Sequence, residues 1–453
     1  MASYPSRHYH RRDTPLLAHS RHEPGPKSRF FVLGATRLLR RWGQSISLHS
    51  MLRRRFLSGL AAGLASLAVV PRLSRATTRP RTPYHLFVLL GGGIDAILSL
   101  DPKTRAEVDR SVDLPYDARS IHSTGELAFG PNMVSLAPWA GRAAVLRGVL
   151  TSSVAHPPAV GQLLLMRRGI PTGGKQVAFL DLVAGAHRTA QLPVVRFGNS
   201  GSVTPKGLIL SETVFERLLT LSPEELDVVR TQLRKQADWL AGSRDREGAA
   251  TASRLRGTVE FLDRLSALPG PAAEAWTTAP DAQEFAQQLQ RCLWLFEHDL
   301  TACALVNHFR WDTHIDNYEE QGRVSSALLP VLARFVEELA KRTNSHGSML
   351  DQVRIIVASE LGRFPKLNSE RGKHHFPEIP MLFMGAGIPG GHAFGRTGRM
   401  MEALPMDLNT GLATGNGGSL VTLDDVGATL LRSVGVDPEL HGNSGRHLPF
   451  LVP

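Results

Sequence analysis

The chain has 453 residues, of which 42% are hydrophobic and 21% are charged. This composition is typical of folded globular proteins, and the length allows one large domain or two smaller ones. The formal net charge is +11, but residues 1–82 contain 16 Lys and Arg against 2 acidic residues, which leaves residues 83–453 at −3. Because the part after this basic segment is close to neutral, the charge excludes a basic nucleic-acid-binding surface there.

Residues 1–50 are rich in His and Arg with scattered Pro and Ser, which predicts a disordered leader. Met51 is an alternative first residue, in which case this leader is an artefact of the gene boundary. Residues 51–76 carry three arginines at 53–55, continue with the apolar run Ser58–Val70 and end in Ser74-Arg75-Ala76. This order is typical of a signal peptide, since the apolar run is too short to span a membrane. A buried helix with a basic cap is the alternative.

The arginines before Phe56-Leu57 are similar to a twin-arginine export signal. They predict export to the periplasm or cell envelope by the twin-arginine (Tat) machinery. Residues 77–83 then form a Pro/Arg linker, and residues 84–453 are predicted to be one α/β domain. No other apolar run is long enough to cross a membrane, so no membrane span is expected in the mature chain.

Two strands in the first half of this domain end in chemically interesting loops. The run Tyr84–Leu90 is followed by three glycines and Asp95, which is either a ligand-binding carboxylate or a helix cap. After a predicted short helix over 129–140 and a predicted strand over 143–149, the next loop carries Ser153 and His156 before a helix over 159–168. These two residues are either an anion-binding pair or ordinary loop and cap residues.

The middle of the chain is predicted to be mainly helical. A strand over 192–197 precedes a helical insertion over 223–267, whose start at Ser222 has the capping residues of a helix N-terminus. An amphipathic helix over 282–297 and a strand over 301–309 follow. Asp312 and His314 come directly after that strand. Their Asp-x-His spacing suits a divalent metal ion, although an isolated pattern of this kind is more often not a ligand pair.

In the last third of the chain, candidate site residues again follow a predicted strand. A helix over 322–343 leads into the strand over 353–358, Glu360 follows the strand, and a turn-rich loop leads to His374 and His375. A strand over 379–384 and a capped helix from Thr422 complete the chain. Alternating strands and helices predict an α/β fold with a mostly parallel sheet and helices on both faces. Because the candidate residues each follow or adjoin an apolar run, we expect them to meet at the carboxyl edge of the sheet.

The motif order also resembles a known family. Leu-Leu-Gly-Gly-Gly-Ile-Asp at 89–95, Trp-Asp-Thr-His at 311–314, Ser-Glu-Leu-Gly-Arg at 359–363 and the later His-His-Phe at 374–376 resemble the exported domain-of-unknown-function-1501 family, within the alkaline phosphatase-like (sulfatase-like) superfamily. The resemblance implies an alkaline phosphatase-like fold and a divalent metal site for zinc, calcium or magnesium. The ligands it implies are Asp95, Asp312, His314, Glu360 and His375, with His374 as a further candidate.

The function implied by this resemblance is metal-dependent hydrolysis of an anionic phosphate or sulfate ester. Ser153, or a water at the metal, is the expected nucleophile, and His156 is the catalytic histidine on the same loop. Glu360 stands where the superfamily usually has Asp, and the helix after the second strand begins without Ser, Thr or Cys. The alternative is therefore a non-catalytic binding or assembly protein that keeps the fold and part of the metal site.

Overall fold

The structure is a computed structural model that describes residues 82–169, 177–187, 192–198, 209–242, 246–271, 274–415 and 417–452. The predicted leader, the predicted signal peptide and the linker up to residue 81 lie outside the described residues. In the described part of the chain, no helix has both the length and the apolar character needed to cross a membrane.

Fourteen strands and eight α-helices are described, and we number them in chain order. The strands are β1 Tyr84–Leu90, β2 His122–Thr124, β3 Leu127–Phe129, β4 Ala143–Leu150, β5 Leu192–Phe197, β6 Ile209–Ser211, β7 Thr301–His308, β8 Thr343–Asn344, β9 Gly347–Ser348, β10 Val353–Ala358, β11 Gly362–Arg363, β12 His375–Phe376, β13 Glu378–Gly385 and β14 His392–Phe394. The helices are α1 His156–Leu165, α2 Phe179–Ala186, α3 Glu212–Leu219, α4 Pro223–Ala241, α5 Arg246–Ala267, α6 Pro280–Glu297, α7 Asn317–Lys341 and α8 Leu423–Ser433.

Eight strands form the main sheet in the order β14-β4-β13-β10-β1-β7-β5-β6. Seven of them run in one direction, and β13 alone is antiparallel to its two neighbours β10 and β4. The predicted mostly parallel sheet is therefore confirmed. The antiparallel direction of β13 was not predicted, and it matters for the site because this strand starts at the edge where the parallel strands end.

The central strand β1 shows why both faces of the sheet are covered. All seven of its residues are buried, as expected for a parallel strand between two layers of helices. Leu86 and Val88 belong to one core cluster, which α6 and α7 also line, whereas Phe87 and Leu89 belong to a second cluster, which α1, α2 and α8 line. Successive side chains of a strand point to opposite faces, so this alternation places helices on both sides.

Two predicted elements differ in detail from the structure. The insertion over 223–267 consists of two helices, α4 and α5, and Ser222 forms the expected capping box with Glu225 at the start of α4. The predicted short helix over 129–140 is a 3-10 helix over Pro131–Arg142. Its prolines explain the difference, because Pro138 lacks the N–H that a continuous α-helix needs.

The sheet brings five loops to one edge. The carboxyl ends of β1, β4, β7 and β10 lie at this edge because the four strands are parallel to one another. The segment before β13 reaches the same edge because β13 runs the other way, with Glu378 paired to Leu150 at the end of β4. The loops at 91–95, 151–156, 309–315, 359–363 and 373–375 therefore meet there.

Candidate metal centre

His156 is oriented by a buried carboxylate. Glu360 follows β10, and its side chain is fully buried. Its Oε1 accepts the backbone N–H of Gly92 at 2.9 Å and lies 2.8 Å from His156 Nδ1. Because an ionised carboxylate can only accept, Nδ1 carries the proton in this contact. The hydrogen bond to Glu360 also raises the pKa of His156 above its usual value.

The other ring nitrogen of His156 faces a second carboxylate. His156 Nε2 is buried, makes no hydrogen bond within the described part of the chain, and lies 3.3 Å from Asp312 Oδ2. A histidine whose Nδ1 is bonded to a carboxylate and whose Nε2 is left bare is the arrangement that metal-binding histidines commonly adopt.

His375 is oriented in the same way by a backbone carbonyl. Its Nδ1 lies 2.7 Å from the carbonyl oxygen of Val154, which can only accept a hydrogen bond, so Nδ1 is the donor. Its Nε2 lies 3.3 Å from Asp312 Oδ1 and 2.9 Å from His314 Nε2. The short ladder between β11 and β12 pairs His375 with Arg363. This pairing brings the histidine loop to Asp312.

Asp312 is held by a buried arginine. Arg363 Nη2 lies 2.5 Å from Asp312 Oδ1, and the Arg363 side chain is fully buried. The guanidinium also donates to the carbonyl oxygens of Gly92, Gly93, Trp311 and Lys373. Burial raises the pKa of Asp312, but the hydrogen bond and the charge of Arg363, with His156 and His375, together outweigh it, and the pKa lies below the usual value.

These atoms form a donor set that fits a divalent metal ion. His156, Asp312 and His375 each offer one ligand atom, and the three atoms lie within 4.8 Å of one another. His314 Nε2 adds a fourth, 3.1 Å from Asp312 Oδ1. Zinc–ligand bonds of about 2.0–2.1 Å imply tetrahedral edges of about 3.3 Å. The distances of 2.9, 3.1 and 3.3 Å among His314, Asp312 and His375 are close to that value.

His314 is one of the ligand candidates that face solvent. Its side chain is 42% exposed. Partial burial, followed by the nearby positive charge of Arg363, lowers the pKa of His314 despite the neighbouring Asp312 carboxylate. At His314 the lowered pKa favours the neutral imidazole that metal binding requires, whereas at His156 the raised pKa opposes it.

Asp95 lies in a different environment from the one expected. Its residue exposure is 1%. Oδ2 accepts hydrogen bonds from Lys373 Nζ at 2.7 Å and from Asn317 Nδ2 at 2.6 Å, and Oδ1 accepts from the Ile97 N–H at 3.1 Å. The structure thus brings Asp95 to a buried ion pair, and the His156–Asp312–His375 group does not include it. Sequence reasoning missed Lys373, because a lysine in a turn-rich loop has the pattern of an exposed residue.

The contacts shown for Ser153 and His374 in the described part of the chain do not include the His156–Asp312–His375 group. Ser153 Oγ accepts the Ala155 N–H at 3.1 Å and lies 3.3 Å from the Ala155 carbonyl oxygen, so its contacts are within its own turn. His374 is exposed, and its ring centroid lies 6.2 Å from that of His314. Of the predicted residues, His156, Asp312, His314 and His375 meet directly, and Glu360 supports His156.

The chain was compared with known families and structures. Residues 227–450 match the model of the family described as "Protein of unknown function (DUF1501)". The match includes the loops after β7 and β10 and the histidine loop before β13, and the predicted family is confirmed. No curated protein matches the chain.

Several solved structures are similar to the chain at low identity. One is a protein of the alkaline phosphatase superfamily from Vibrio parahaemolyticus, with 11% identity, a TM-score of 0.41 and coverage of 87% of this chain and 78% of that chain. A phosphonate monoester hydrolase from Silicibacter pomeroyi has 11% identity, a TM-score of 0.40 and coverage of 82% and 76%. A sulfatase from Pseudoalteromonas sp. has 12% identity, a TM-score of 0.36 and coverage of 89% and 76%.

Proposed function

The chain belongs to the DUF1501 family through residues 227–450, and from this premise we propose that it is an exported, metal-dependent hydrolase of phosphate or sulfate esters. One observation carries the proposal. His156 and His375 each bind a fixed acceptor through Nδ1 and present Nε2 to the Asp312 carboxylate. Two imidazole nitrogens beside a carboxylate are a ligand set for a divalent cation.

Each residue of the group has a defined task in this proposal. His156, Asp312 and His375 would hold the ion, which would supply a Lewis acid for an oxygen of the ester. Glu360 keeps the proton of His156 on Nδ1, so that Nε2 stays available. Arg363 fixes the orientation of the Asp312 carboxylate through the hydrogen bond to Oδ1. The positive charge of the ion supports an anionic ester as substrate.

Apolar side chains beside the ligands support an ester with an aryl or alkyl group. Val154, whose carbonyl binds His375, is 51% exposed, and Ile315, next to His314, is 60% exposed. Large exposed apolar side chains beside a polar site are typical of ligand-binding surfaces. Aryl phosphates and aryl sulfates are therefore the first substrates to test.

One observation favours the second candidate, a non-catalytic protein that binds a metal through the same residues. The expected nucleophile Ser153 makes hydrogen bonds only within its own turn among the described residues. A protein of this kind would bind the ion without turning over any ester.

The test combines metal analysis with an ester screen. We expect the purified chain to contain a divalent metal and to hydrolyse an aryl phosphate or an aryl sulfate. Asp312→Asn should remove both properties, whereas Asp227→Asn, on the exposed face of α4, should retain them. If the wild-type chain binds metal but hydrolyses no ester, and Ser153→Ala behaves in the same way, the second candidate is favoured. Absence of metal from the wild-type chain would exclude both candidate functions.

The proposal of export has its own test. Arg53 and Arg54 lie in the segment that resembles a twin-arginine signal. Replacing both by Lys keeps the charge but removes the arginine pair. We expect cell fractionation to find the wild-type chain outside the cytoplasm and the double variant inside it. The same distribution for both proteins would contradict a twin-arginine route.

A further inference from the structure

The buried carboxylate of Asp95 already accepts three hydrogen bonds from the chain itself. Lys373 Nζ and Asn317 Nδ2 both donate to Oδ2, at 2.7 and 2.6 Å, and the Ile97 N–H donates to Oδ1. The side chains of Asp95 and Lys373 are 1% and 0% exposed. A divalent cation at Asp95 Oδ2 would have to displace the fully buried ammonium group beside it.

Other contacts hold Lys373 in place. Its Nζ lies 5.0 Å from the centroid of the Tyr318 ring, within the range of a cation–π interaction. Its backbone N–H donates to the Thr313 carbonyl at 3.1 Å, and its own carbonyl accepts from Arg363 at 2.9 Å. Contacts of both the side chain and the backbone of Lys373 therefore hold its ammonium group beside Asp95.

The ligand atoms at the two places differ in a way that decides where an ion can bind. At Asp95 one carboxylate faces one ammonium, so the pair is neutral. At Asp312 the carboxylate faces the uncommitted Nε2 of His156 in addition to Arg363. A cation brought to either carboxylate meets one positively charged side chain, but only at Asp312 does it also meet the imidazole nitrogens of His156 and His375.

We propose that the Lys373 ammonium takes the place of a second divalent cation at Asp95, so that each chain holds a single ion, at His156, Asp312 and His375. The inference rests on the proposed metal site, and it adds the number of ions that each chain binds. It assigns Lys373 a positioning role: it neutralises Asp95 and anchors the loop that carries His375 two residues further on.

The test is the ratio of zinc to protein after saturation with zinc alone and removal of unbound ion, measured by mass spectrometry of the metal. We expect one ion per chain for the wild type and for Asp95→Asn, which keeps the shape of the side chain. His392→Ala removes an exposed histidine outside the site and should also retain one ion. Lys373→Ala frees the Asp95 carboxylate, and we expect the ratio to rise towards two.

The possible results separate this inference from the proposed function. Two ions in the wild type, falling to one in Asp95→Asn, would overturn the inference and leave the hydrolase proposal standing. No ion in the wild type would overturn the metal site itself, and the inference with it. A ratio that stays at one in folded Lys373→Ala would overturn the role of the ammonium. If Lys373→Ala does not fold, the wild type and Asp95→Asn still decide the stoichiometry.

Discussion

The guanidinium of Arg363 meets the carboxylate of Asp312 at 2.5 Å, although the arginine side chain is fully buried and the aspartate side chain is 47% exposed. The arginine thus connects the interior of the protein to the edge of the site. Since its other donors bind carbonyls of the loops after β1 and β7, Arg363 holds several site loops together.

Arg363→Lys should test this connection. Lysine keeps the charge but donates from a single nitrogen, so buried carbonyl oxygens lose their donors, each at a cost of roughly 1–3 kcal/mol. We expect the free energy of unfolding to fall by about 2–4 kcal/mol in urea denaturation. Arg119→Lys, at a side chain that is 93% exposed, is the matched control and should leave the free energy unchanged. Equal unfolding midpoints for the two variants would show that Arg363 does not hold the loops.

Glu360→Gln should weaken metal binding without removing a ligand. The amide oxygen can still accept from the Gly92 N–H, but the neutral side chain holds His156 less firmly than the carboxylate does. Loss of a carboxylate that orients a metal ligand typically lowers the metal affinity roughly 10–100-fold. We expect Glu360→Gln to lower the zinc affinity by this factor. Zinc titration by calorimetry measures it. Glu439→Gln, at an exposed residue, is the control, and an unchanged zinc affinity in Glu360→Gln would contradict the orienting role.

Glu378, at the start of β13, should make the stability depend on pH. Burial raises its pKa from 4.5 to about 7, with a further contribution from the charge of Glu402. Between these pH values the folded state keeps a proton that the unfolded state releases, so stability should fall as pH rises through that interval. The loss should be on the order of 1–2 kcal/mol, since partial exposure of the side chain screens the effect.

Glu378→Gln mimics the protonated form and should remove this decline. Urea denaturation at several pH values between 4.5 and 7 checks it, with Glu439→Gln again as the exposed control. A decline of the same size in Glu378→Gln and in the wild type would assign the pH dependence to other groups.

Most of the sheet could be predicted from the sequence, because buried parallel strands are continuous apolar runs. Thr301–His308 and Val353–Ala358 lie within a residue of their predicted bounds. The convergence of Asp312 and His156 followed from the same reasoning, since both come after parallel strands. The direction of β13 could not be predicted, because an apolar run has the same pattern in either direction.

The partner of Asp95 could not be predicted either. Its pairing with Lys373 spans 278 positions in sequence, and nothing near either residue indicates the other. His156 was expected to act beside Ser153, but its orientation depends on Glu360, which is 204 positions away. Local patterns predicted which residues reach the sheet edge. Contacts between loops that are far apart in sequence determine which carboxylate binds the lysine and which binds the histidine.

The adjacent histidines His374 and His375 offer the sharpest test of the metal centre. Their sequence context is the same, yet His375 Nε2 lies 3.3 Å from Asp312 Oδ1 while His374 is exposed. Mutation of a residue that supports a metal ligand typically lowers the metal affinity roughly 10–100-fold. We expect His375→Ala, which removes a ligand, to lower the zinc affinity by at least this factor. His374→Ala should bind zinc as the wild type does, and calorimetry measures both.

Thermal denaturation of the two histidine variants shows whether a loss of zinc affinity is caused by misfolding. His375→Ala leaves the Val154 carbonyl without its donor, and a lost hydrogen bond of this kind costs about 0.5–1.5 kcal/mol. Thermal denaturation should therefore show a small loss of stability for His375→Ala in the absence of zinc and none for His374→Ala. Added zinc should raise the melting temperature of the wild type and of His374→Ala but not of His375→Ala, since only a folded chain with the complete ligand set gains stability from the ion. Equal zinc-dependent stabilisation of the two variants would show that the ion binds elsewhere.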